Sequence, residues 1–60
     1  MQILIKKINE VEPTIVLNDV FMIYEDDCGN IEFHFAGGIL DNEITIISKA
    51  DLEYFRKVGD

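Results

Sequence analysis

From Thr14 to Glu25 the chain is almost continuously β-favouring, with Ile15, Val16, Leu17, Val20, Phe21, Ile23 and Tyr24. Fully extended, these twelve residues would reach roughly 40 Å at about 3.3 Å each. A 60-residue chain packed into one body has a radius of gyration of about 10 Å and a diameter of about 27 Å. One straight strand is therefore excluded. The run must break, and its one polar pair, Asn18-Asp19, suits either a tight hairpin or a bulged bend, with the bend favoured.

The second half of that run, Val20-Phe21-Met22-Ile23-Tyr24, faces the return run Ile31-Glu32-Phe33-His34-Phe35 across the turn Glu25-Asp26-Asp27-Cys28-Gly29-Asn30. A three-residue loop Asp27-Cys28-Gly29, with Gly29 left-handed, would set Phe21 opposite Phe35 and Ile23 opposite Phe33. An even loop would place Met22 and Tyr24 over the phenylalanines instead, and the side chains leave both registers open. In either register Glu32 and His34 share one face of the return strand.

Gln2 to Ile8 alternates loosely and reads as a strand, stopped by Asn9-Glu10-Val11-Glu12-Pro13. Ala36-Gly37-Gly38 ends the return strand, Ile39-Leu40 adds a short apolar piece, Asp41-Asn42 turns, and Glu43-Ile44-Thr45-Ile46-Ile47 forms the last strand. Ser48 and Asp51 match a helix capping box, Leu52, Phe55 and Val58 recur at helical spacing, Arg56 and Lys57 suit a helix C-terminus, and Gly59 is a good stop. The expected fold is α+β: one domain over residues 1–60, an antiparallel sheet of about four strands with a C-terminal amphipathic helix on one face.

Such a helix covers only one side of a sheet, yet Val20, Met22 and Tyr24 oppose Phe21 and Ile23, so both faces of that strand are apolar. Val20, Met22 and Tyr24 are therefore expected to carry self-association, as a homodimer or as docking onto another protein. Size points the same way, because a chain this short buries only about 60% of its unfolded surface. The 48% apolar share still rules out a disordered chain.

Twelve acidic residues against five basic ones give a net charge of −7, which opposes direct binding of nucleic acid or anionic lipid and favours basic partners. No apolar run approaches the roughly 20 residues of a membrane helix. The opening apolar run is short and precedes Lys6-Lys7, the wrong order for a signal peptide. With a single cysteine, Cys28, no disulfide forms within the chain. A cytoplasmic protein, its own cell's or a host's, is expected.

No residue pattern carries catalytic or cofactor chemistry. Glu25-Asp26-Asp27 lacks the alternating order and closing glutamate of a calcium loop. Cys28 stands beside two carboxylates with no neighbouring cation, which disfavours a reactive thiolate. Cys28 and His34 are two ligands where zinc needs three or four. Gly37-Gly38 is followed by neither a lysine nor a helix start, so it is no phosphate cradle. Neither an enzyme, a cofactor nor a metal is expected.

What remains is a surface. Glu25, Asp26 and Asp27, with Glu32 and His34, are the expected partner-binding residues of a small acidic module that masks a protein partner. Together with Asp19, Asp41 and Glu43 these carboxylates could imitate spaced phosphates in the basic groove of a nucleic-acid-processing enzyme. In size and charge the chain resembles the class of very small acidic proteins with which phages and mobile elements block host enzymes, a likeness that assigns no residues. The alternative is a structural homo-oligomeric subunit with no inhibitory role.

Overall fold

The computed structural model describes residues 1–37 and 42–59, so Gly38, the Ile39-Leu40 piece and Asp41 lie outside the described residues. Six strands follow in order: β1 (Gln2–Lys7), β2 (Ile15–Leu17), β3 (Val20–Glu25), β4 (Asn30–Phe35), β5 (Glu43–Ser48) and β6 (Leu52–Val58). They form two antiparallel three-stranded sheets, β2-β1-β6 and β3-β4-β5. The architecture is all-β, and the expected α+β fold with a C-terminal helix is wrong. None of the described residues is helical, and no helix long and apolar enough to cross a membrane is present among them.

The segment expected to be helical is β6, paired with β1 through Ile5↔Phe55, Leu4↔Arg56 and Ile3↔Lys57. Its capping-box residues make only a turn. Asp51 N–H donates to the Ser48 carbonyl at 3.0 Å and Ala50 N–H to Ser48 Oγ at 3.2 Å, after which the chain is extended again. One turn of helix fixes several residues for a single hydrogen bond. Pairing with β1 instead lays Phe55 edge-on against Phe33 of the other sheet, ring centroids 5.2 Å apart and planes at 85°.

The long β-favouring run breaks at Asn18-Asp19, and it bends between sheets instead of folding into a hairpin: β2 pairs with β1, while β3 pairs with β4. Asp19 has φ +58°, the left-handed conformation that aspartate tolerates better than most residues. Val20 N–H donates to the Met1 carbonyl at 2.8 Å and Ala36 N–H to the Asp19 carbonyl at 3.2 Å, so the corner is held from both sides. The bend lets one covalent strand serve two sheets, and the molecule measures 30 × 28 × 21 Å.

With no helix to cover it, each sheet covers the other. One core draws Ile3, Ile5 and Leu17 from the first sheet and Val20, Ile31, Phe33 and Ile47 from the second. The hairpin has the odd register: Gly29 is left-handed at φ +82° and Ile23 faces Phe33. The expected Phe21–Phe35 pair does not form. A bulge between Val20 and Met22 sets Val20 opposite Phe35 and leaves Phe21 unpaired.

Candidate functional site

The outer face of the β3-β4-β5 sheet is where exposed apolar side chains gather. Ile31 and Phe33 of β4 point into the core, so Glu32 and His34 point out. The register then builds two rows across the sheet, Tyr24–Glu32–Ile46 and Met22–His34–Ile44. The bulge turns Phe21 onto the same surface, where its ring meets that of His34 edge-on at 6.4 Å. Phe21, Met22, Tyr24, Ile44 and Ile46 are each between 44% and 59% exposed.

Five side chains of roughly 200 Å² each, about half open, present about 500 Å² of apolar surface. That matches the largest patch on an ordinary monomer, which is often a functional one. The outer face of the other sheet differs. There Leu4 lies between Val16 and Arg56, and Lys6 beside Tyr54 pairs with Glu53, so charge interrupts the apolar surface.

Of the three residues expected to carry self-association, Met22 and Tyr24 stand on this open face, whereas Val20 is 2% exposed and belongs to the core. Placing Val20 outside is an error of simple alternation, since the bulge at Phe21 shifts the phase of β3 by one residue. The sequence alone does not place Phe21, Ile44 and Ile46 on this surface. The period-two pattern of β5, with Ile44 and Ile46 opposite in phase to Thr45 and Ile47, carried that signal once β4 is known to be central.

The structure splits the acidic residues into different jobs. Asp26 is part of the turn itself: its Oδ1 accepts the Cys28 N–H at 2.8 Å and the Asn30 N–H at 2.9 Å, while its own N–H donates to the Asn30 carbonyl at 3.0 Å. The Asn30 amide, helped by that of Cys28, holds its carboxyl below the ordinary value of 3.8. Glu25 reaches Lys49 Nζ at 3.2 Å across an exposed surface, a pair worth at most about 1 kcal/mol. Glu32 Oε1 lies 3.0 Å from His34 Nε2, both half-buried in the middle of the apolar face.

A group whose folded pKa is depressed contributes stability above its unfolded pKa and loses it as pH falls through the folded value. Asp26→Ala is therefore expected to lower the thermal midpoint at neutral pH more than Asp27→Ala does. The gap should stay constant down to the ordinary value of 3.8 and close below it. Melting curves of both variants from pH 7 into the acid range check this, and a gap that does not change would mean that the Asp26 carboxylate does not hold the turn.

No pocket is found among the described residues, and no group of three or more His, Cys, Asp or Glu among them is placed to hold a metal ion. Cys28 is exposed and free at the tip of the hairpin, away from the two rows. What the arrangement offers is an apolar surface with one acid and one imidazole at its centre and carboxylates at its hairpin end.

No family model, no curated protein and no solved structure matches this chain.

Proposed function

We propose that this chain is a non-enzymatic binding module that masks a surface of a protein partner with the outer face of the β3-β4-β5 sheet. The observation that carries the reading is the uncovered row pair Tyr24–Glu32–Ile46 and Met22–His34–Ile44. An apolar face without a pocket among the described residues suits another protein better than a small molecule, which needs concavity.

Charge supports a basic partner. The strands and hairpin of the β3-β4-β5 sheet contain no lysine or arginine, while they contain Glu25, Asp26, Asp27, Glu32 and Glu43. Four of the five cations, Lys6, Lys7, Arg56 and Lys57, lie instead on β1 and β6 of the other sheet. The uneven placing of the cations makes the β3-β4-β5 sheet the more acidic of the two, which steers it toward basic surfaces such as nucleic-acid-processing enzymes present. Imitation of a regular phosphate array is the weaker form of the idea, because Asp26 is spent on the turn and Glu32 faces His34.

The test is affinity capture from a lysate of the source cells over a salt series. It compares the wild type, Glu25→Lys with Asp27→Lys, and Tyr24→Lys; Asp26 is left intact to preserve the hairpin. A masked partner is expected to be lost with Tyr24→Lys and to bind the charge-reversed variant more weakly, with a flatter salt dependence. The same proteins captured equally by all three would exclude this face and its acidic end from the mechanism.

A further inference from the structure

Four strand edges are open to consider, and three carry devices that discourage strand addition. β2 is three residues long and follows Pro13 by a short link. β3 is bulged at Phe21, and β6 contains Glu53, Arg56 and Lys57 and sits opposite a register shift at Lys6/Lys7. β5 has none of these. It is six residues long, its register with β4 is unbroken, it contains no proline or lysine, and its only charge is Glu43 at the first position. Among the described residues no strand pairs with its far edge.

We propose that the free edge of β5 is a self-pairing site whose occupant is β5 of a second copy. Two such strands meeting antiparallel about a two-fold axis normal to the sheet keep their faces aligned, so directly opposed residues must have the same parity. Ile44-Thr45-Ile46 reads the same in both directions. An axis through Thr45 therefore sets Ile44 against Ile46 of the second copy twice on the open face, and on the other sets Thr45 against itself, both favourable cross-strand pairs, with Glu43 at the ladder's ends against Ile47.

Repulsion does not prevent this arrangement. The two Glu43 side chains lie four residues apart along the ladder, about 14 Å at about 3.4 Å per residue. That exceeds the Debye length of about 8 Å at physiological salt. The product is a continuous six-stranded sheet, β3-β4-β5 joined to its copy, in which the two apolar outer faces become one. This inference goes beyond the masking role and is read without any partner.

The experiment is sedimentation equilibrium of the full chain from micromolar to millimolar concentration at physiological salt, with circular dichroism to verify the fold of each variant. A monomer–dimer equilibrium is expected. Ile46→Lys removes two cross-strand pairs from each dimer and should raise its dissociation constant by about tenfold or more. Met22→Lys, on β3 at the far side of the same face, should change it by less than about twofold. In a Cys28→Ser background, Thr45→Cys should cross-link to a dimer on oxidation, whereas Ile44→Cys, whose Cα atoms in the two copies lie more than about 7 Å apart, should not. A monomer at millimolar concentration, species larger than a dimer, a Met22→Lys effect as large as that of Ile46→Lys, or no cross-link in the Thr45→Cys variant would each overturn the proposal.

Discussion

Phe33→Ala is expected to leave the chain unfolded at room temperature. Phe33 is fully buried in β4, the central strand of its sheet, with Ile23 and Thr45 as cross-strand neighbours. Its ring also stacks edge-on against Phe55 of the opposite sheet, so it is packed against both layers at once. Deleting a buried phenylalanine ring costs about 3–5 kcal/mol. A chain of this length has a total stability of only about 3–9 kcal/mol, at about 0.05–0.15 kcal/mol per residue.

Of the seven buried apolar residues among those described, Phe33 is the largest, and the others are too short to close the gap that alanine would leave. Phe33→Leu should fold, with a loss of about 1–2 kcal/mol, because most of the volume is kept. The measurement is amide dispersion in a proton–nitrogen correlation spectrum together with a urea titration of each variant. An alanine variant that keeps its dispersion and loses less than about 1 kcal/mol would show that the sheets do not depend on Phe33 to stay together.

The parts of the fold legible in the sequence are those set by geometry within a few residues. Gly29 three residues after Asp26 offers a left-handed turn position, which makes the three-residue loop one of two open registers, and the structure takes it with Ile23 facing Phe33. The Thr14–Glu25 run was too long for the molecule, and its one polar pair is where the chain bends. Leu52, Phe55 and Val58 misled because their spacing serves a helix, whereas the strand parity of Leu52, Tyr54 and Val58 is interrupted by Arg56 and opposed by Phe55. Seven residues are too few for either period to dominate, and the deciding term was the edge that β1 offered, which is non-local.

Much the same holds for the candidate site. That Glu32 and His34 share a face is legible, because position in one strand settles it. Their neighbours were not recoverable, since Ile44 and Ile46 join them only through the β4–β5 register, and Phe21 only through a bulge. The five-residue apolar surface is thus a property of strand order, and an excess of apolar positions was all that the chain itself could announce.

Val20→Lys and Met22→Lys, two positions apart on one strand, are expected to behave in opposite ways. By strict alternation both side chains would point to the same side. The bulge at Phe21 inserts one residue against β4, so Val20 faces Phe35 in the core while Met22 opposes His34 on the open face. An ammonium at position 20 would lose its hydration with no carboxylate among the core residues to replace it. An unpaired buried charge costs several kcal/mol, and about 1.5–3 kcal/mol of valine burial goes with it. The sum is comparable with the whole stability of a chain this size, so Val20→Lys should not fold. Met22→Lys carries its charge into water beside Glu32 and His34 and should change stability by no more than about 0.5 kcal/mol. Urea titrations of the two variants measure this directly. If Met22→Lys unfolds and Val20→Lys does not, the phase of β3 is reversed, and Met22 and Tyr24 leave the surface on which the masking role depends.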